Sequence, residues 1–197
     1  DQRVIRVINL KSPELAEIKV TAKHAIRGFK VFPDSDWLYM RTFGPVEEGS
    51  RESRDYVELW NRKTGELKEI DVDAGRGCMM VGNNLVARDR TLKTIRLVNI
   101  ETGATKVFNN FDDYLLGKRY LVLFGLGSYD GAALKSIYTV VNLNNYTQAK
   151  SFRGGRPCKH EKGLDCLVGD RSLLLYDENK IVDLVTGDMA RAAGIQT

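Results

Sequence analysis

The sequence predicts an all-β protein assembled from four-stranded antiparallel units, and three observations carry that expectation. One hairpin pattern recurs five times along the 197 residues. Apolar and polar residues alternate with period two on either side of it, as strands with distinct faces require. No segment carries a helical apolar stripe longer than two turns.

The hairpins come first, because a repeat sets the architecture of everything between its copies. The five segments are residues 7–14 (VINLKSPE), 59–66 (LWNRKTGE), 97–104 (LVNIETGA), 140–147 (VVNLNNYT) and 181–188 (IVDLVTGD). Each ends a strand on Asn or Asp, at positions 9, 61, 99, 142 and 183, spaced by 52, 38, 43 and 41 residues. An Asn or Asp side chain can bond backbone two residues on, and glycine supplies the positive φ at which the chain reverses. Residues 56–60 (YVELW) and 94–98 (TIRLV) lead into two of these turns with alternating character.

A second hairpin precedes each of the last four. Residues 29–40 turn at Pro33-Asp34, residues 78–87 at Gly82-Asn83-Asn84, residues 114–123 at Gly117-Lys118-Arg119, and residues 164–176 at Gly169-Asp170-Arg171. Each unit therefore reads as inner strand, second strand, third strand, Asn/Asp turn and outer strand. Four-stranded propeller blades recur at about 40–45 residues.

On these residues the chain resembles β-propeller proteins. VELWNRKTGELKEI (57–70) is similar to the third-to-fourth strand hairpin of WD-repeat and quinoprotein-type blades, and FKVFPDSDWLYM (29–40) to the first hairpin of TolB-type blades. No Gly-His dipeptide is present and a single repeat has Trp before its Asn, so the motifs specify architecture and no particular family. The resemblance implies one propeller-like domain over residues 1–197, with about four complete blades and an N-terminal half blade. The approximate boundaries are 1–22, 23–73, 74–110, 111–153 and 154–197. The half blade has a hairpin and nothing before it to supply inner strands. That points to part of a larger propeller, with a stand-alone five-bladed ring as the alternative.

Composition excludes several classes. Hydrophobic residues make up 43% and charged residues 28%, ordinary for a soluble globular chain. No apolar run approaches the roughly 20 residues that span a bilayer, and the chain passes from Asp1-Gln2-Arg3 straight into a β pattern, without a secretory signal. The compartment is left open. A formal net charge of +4, with Lys and Arg interspersed among Asp and Glu, argues against nucleic acid as a partner. Three cysteines are too few for a disulfide scaffold; Cys158 and Cys166 are either bonded to each other or small buried thiols.

Function is expected on the loops joining second to third strands and on the connections between blades. Residues 43–55 and 125–133 read as long loops, the second carrying Tyr129. The connections carry Lys23, His24 and Arg27, then Arg76, then Asp112 and Asp113, then Arg153, Arg156, Lys159 and His160. Arginines ringing an axial mouth would suit a carboxylate or phosphate, because a guanidinium offers a planar fork of donors. The competing reading has them capping strand ends or pairing with nearby acids. The candidate binding residues are thus His24, Arg27, Arg76, Asp112, Asp113, Tyr129, Arg153, Arg156 and His160.

Catalytic signals are thin. Gly125-x-Gly127 is followed by a strand, where a dinucleotide site wants a helix. Cys158, His160 and Cys166 lack a fourth zinc ligand, and neither histidine sits beside a G-x-S-x-G nucleophile. The expected function is a non-catalytic binding or scaffolding surface for a protein partner or small anionic ligand, with no cofactor or metal. One alternative is a carbohydrate-active or hydrolytic propeller, with Asp112, Asp113, Glu47 or Glu48 facing one another in an axial pocket. Another is a structural subunit completed by a second chain.

Overall fold

Each blade is set at its turns, because the turn fixes which strand residues face which way. In the computed structural model of the chain, residues 3–8, 17–32, 34–47, 49–70, 72, 78–89, 92–125, 129–130, 133–155, 167–168, 171–175 and 180–191 are described, and among them there is no helix. They form twenty strands.

β1 (Val4–Ile8) and β2 (Glu17–Thr21) make a two-stranded sheet. β3 (Ala25–Val31), β4 (Trp37–Pro45), β5 (Ser53–Asn61) and β6 (Leu67–Ile70) follow as a four-stranded sheet in chain order. The next comprises β7 (Met79–Val81), β8 (Asn84–Asp89), β9 (Thr94–Asn99) and β10 (Thr105–Asn109). β11 (Asp113–Leu116) and β12 (Tyr120–Gly125) lead to a short ribbon, β13 (Tyr129–Asp130) with β14 (Ala133–Leu134). The main sheet resumes with β15 (Ser136–Asn142) and β16 (Gln148–Gly154). The last sheet holds β17 (Leu167–Val168), β18 (Ser172–Leu175), β19 (Lys180–Asp183) and β20 (Met189–Arg191). Four four-stranded antiparallel meanders after a two-stranded half are the blades of a β-propeller-type fold, as the repeat predicts.

The four complete turns are nearly one structure. Asn61 Oδ1 accepts from the N–H of Lys63 at 2.9 Å and Thr64 at 3.1 Å. Asn99 Oδ1 does so from Glu101 at 3.0 Å and Thr102 at 2.9 Å, and Asp183 Oδ1 from Val185 at 2.8 Å and Thr186 at 3.0 Å. Asn142 Oδ1 takes the N–H of Asn144 at 2.9 Å. Two residues before each second strand the backbone goes left-handed, with φ of 76° at Gly65, 72° at Gly103 and 78° at Gly187. Tyr146 occupies that place in the remaining turn with φ 56°. Its hydroxyl donates to Asn84 Oδ1 at 2.7 Å and accepts from Asn99 Nδ2 at 2.6 Å, which offsets the strain of a side chain there. The turn of the first repeat, at residues 9–16, lies outside the described residues.

Two compact units divide the chain, Asp1–Asn83 and Asn84–Thr197. In the first, Ile5, Val7, Val20 and Ala22 of the half blade cover Leu38, Met40 and Trp60. In the second, Val86, Ile95 and Leu97 of β8 and β9 pack against Tyr114, Leu121, Leu123 and Val141, and Val122, Tyr138 and Val140 pack against Leu173, Leu175 and Val182. Blades thus bury both faces of their middle strands, at roughly 1.5–3 kcal/mol for each large apolar side chain.

Two regions read as loops carry strand instead. β4 and β5 stay paired to Pro45 opposite Ser53, so the expected loop over 43–55 contracts to 46–52. Pro45 is tolerated because it ends the strand, where a missing N–H costs least. Tyr129, expected in a loop, pairs with Leu134 in the β13–β14 ribbon.

The turns generate two predictions. Gly65→Val or Gly103→Val forces a branched residue into positive φ and should destabilise by about 1–2 kcal/mol in urea or thermal unfolding. An unchanged midpoint would contradict the turn geometry. Asp183 is the one ionised turn residue: the N–H of Thr186 chiefly, then that of Val185 and the Arg171 side chain at 2.8 Å, together outweigh desolvation and hold its carboxyl below the usual value. A depressed carboxylate adds stability above its unfolded pKa of about 3.9 and loses it as pH falls through the lower folded value. Asp183→Asn keeps the turn acceptor but not the charge. It should melt below the parent at pH 7 and converge with it near pH 2–3.

Candidate functional site

The richest group of polar side chains lies at one end of the β3–β6 blade, where β3 begins, β4 ends and β5 begins. Register places Thr42 opposite Tyr56 and Met40 opposite Glu58, so Thr42, Tyr56 and Glu58 share a face; Phe43 stands opposite Asp55 on the other.

Glu58 anchors the first face. It is fully buried and accepts the N–H of Lys23 at 2.7 Å, the N–H of His24 at 3.1 Å and the Thr42 hydroxyl at 2.7 Å. The carboxylate thereby fixes the connection between β2 and β3. His24 is held in place behind it. Its ring stacks on Tyr56, with centroids 4.2 Å apart and planes at 14°. A Cβ on residue 44 would fall 2.2 Å from its Nδ1, so only glycine fits under the imidazole. His24 Nε2 lies 3.6 Å from Glu69 Oε2, which also takes Lys23 Nζ at 3.2 Å. The Arg54 guanidinium sits 4.6 Å from the Tyr56 ring centre.

On the opposite face, a bulge between Ile26 and Gly28 interrupts the β3–β4 register. Arg27, the extra residue, lays its guanidinium 3.7 Å from the centre of the Phe43 ring. Beside it Arg41 Nε and Asp55 Oδ1 stand 3.8 Å apart.

The other candidates lie elsewhere. Asp112 and Asp113 open β11 in the second unit. Arg88 pairs with the Asp113 carboxylate and donates to the Asp112 carbonyl at 3.0 Å, while Lys93 Nζ meets Asp112 Oδ1 at 3.1 Å. Both carboxylates therefore face cations rather than each other. Arg153, expected in a connection, is exposed on β16 opposite Ile137, three strands across the same sheet. Tyr129 is placed by its backbone alone. Arg76, Arg156, His160, Glu48, Cys158 and Cys166 lie outside the described residues, and the third cysteine, Cys78, is buried. Among the described residues no three His, Cys, Asp or Glu side chains group as a metal site, and no helix is long and apolar enough to cross a membrane.

Sequence reasoning found His24 and Arg27 but missed Glu58, Glu69, Arg41 and Asp55. A signal for Glu58 existed: in YVELW it shares parity with Tyr56 and Trp60, which makes it a carboxylate on an aromatic face.

No protein-family model and no curated protein matches the chain. Solved structures do. The chain is similar to acylaminoacyl peptidase from Pyrococcus horikoshii, at 10% identity and TM-score 0.48, covering 84% of this chain and 31% of that one. It is similar to the tricorn protease, at 15% identity and TM-score 0.49, covering 96% and 20%. It is also similar to the β-propeller domain of the Trilobed protease from Pyrococcus furiosus, at 13% identity and TM-score 0.42, covering 82% and 48%. The chain spans between a fifth and a half of those proteins. At such identities the likeness concerns fold, not residues. Three of the similar structures belong to peptidases or proteases, and against them the expectation of a non-catalytic, scaffolding protein that is not an enzyme is not retained.

One prediction tests the anchor of this blade end. Glu58→Ala leaves two backbone N–H groups and a hydroxyl without their acceptor and should cost about 2–5 kcal/mol in denaturant unfolding. Glu58→Gln, which keeps one acceptor oxygen, should cost less. Equal stability of all three proteins would remove Glu58 as the anchor.

Proposed function

We propose that the chain forms the propeller part of a hydrolytic protein, with the His24–Glu69 pair as its proton-handling group. The observation that supports this reading is the fixed imidazole: Nε2 is 3.6 Å from a carboxylate, and the ring is clamped between Tyr56 and Gly44. A carboxylate beside an imidazole orients the ring. Such a histidine serves as a general base towards water or as an acid towards a leaving group.

The test is a hydrolysis screen of the full chain against p-nitrophenyl esters, peptide p-nitroanilides and p-nitrophenyl glycosides. One class should turn over. His24→Gln should lower kcat by about 100-fold or more, with unfolding midpoints unchanged, and Glu69→Gln should lower it less. Absence of turnover in every class, or full activity in His24→Gln, would overturn the proposal.

A further inference from the structure

The opposite face of the same blade end has a feature that proton transfer does not use. Arg41 Nε and Asp55 Oδ1 are both buried, and neither makes a hydrogen bond. Their 3.8 Å separation is too long for one to satisfy the other. Buried polar atoms without partners are rare in folded proteins and call for a reason. Arg27 supplies a second oddity. The bulge at this residue re-aims its side chain, as bulges beside functional sites do. Its guanidinium carbon then lies 3.7 Å from the Phe43 ring centre in a residue that remains exposed, with no ion-pair partner among the described residues. Contact with the ring restricts the side chain, so less entropy is lost on binding.

We infer that this corner, formed by Arg27, Phe43, Arg41 and Asp55, binds a carboxylate carried by the substrate. Calling the ligand a substrate rests on the hydrolytic reading above; the binding itself does not. The charge count favours a carboxylate over a phosphate. Two arginines and one aspartate leave a single positive charge, which one carboxylate neutralises, whereas a phosphate near its second ionisation would place excess negative charge beside Asp55. The planar fork of Arg27 matches two coplanar oxygens.

The experiment is a titration of the isotopically labelled full chain with N-acetylglycine, followed by the amide resonances of Gly28, Arg41, Phe43 and Asp55. N-acetylglycinamide and inorganic phosphate serve as parallel probes. Saturable shifts are expected with N-acetylglycine and none with the amide, with phosphate binding more weakly. Arg27→Ala should weaken binding at least tenfold, Arg27→Lys by a smaller factor, and Lys118→Ala, in the other unit, not at all. Retention of the parent amide spectrum in Arg27→Lys shows the blade intact even if the alanine variant fails to fold. Equal shifts from the amide, phosphate binding as tightly as the acid, or unaltered binding by both Arg27 variants would overturn the inference. Because no bond is broken, a failed hydrolysis screen leaves this titration unaffected.

Discussion

The interaction on which the blades depend is a short one: a side-chain oxygen of Asn or Asp closing over the backbone N–H groups two and three residues on. At Asn61, Asn99 and Asp183 it ties the end of the third strand to the turn, and the outer strand leaves in a fixed register. Slipping that register by one residue would move Leu59, Leu97 and Val182 to the opposite faces of their sheets and carry neighbours such as Arg96 into their places. Burial of both strand faces is a consequence of the turn as much as of hydrophobicity.

Glu58 shows the same economy at a blade's other end. Taking a carboxylate fully out of water is costly, and among the described residues no ion pair to Glu58 compensates. Three donors do so instead, two of them backbone groups of the connection entering the blade. The carboxylate thus specifies a path for the chain. That path delivers His24 onto Tyr56 and starts β3 in the register whose bulge turns Arg27 outward. Site and anchor are consequences of one buried charge.

The repeat was legible because its determinants are local: an Asn or Asp, a glycine four residues on in three of the five turns, and alternation around them. What eluded the sequence was set by pairing between strands. Gly44-Pro45 reads as a breaker, yet cross-strand bonding carries β4 through it to Pro45. Tyr129 reads as loop because a two-residue ribbon has no period to detect. Arg41 and Asp55 are fourteen residues apart in sequence and meet only once β4 and β5 are aligned. His24 and Arg27 were recognised as unusual, but not that they stand on opposite faces of the blade, one on Tyr56 and the other on Phe43. The expected axial ring of arginines rested largely on Arg76 and Arg156, beyond the described residues, while Asp112 and Asp113 meet Lys93 and Arg88, contacts that only the fold brings together.

Tyr146 has a consequence for how the second unit comes apart. A turn closed by glycine is self-contained, and its blade can fray without its neighbour. Here the residue that completes the β15–β16 turn holds Asn84 and Asn99 of the preceding blade with its hydroxyl. Repeat arrays gain cooperativity from just such links between adjacent units. These two blades are therefore coupled into one unfolding step, and slow hydrogen exchange in either would report the opening of both.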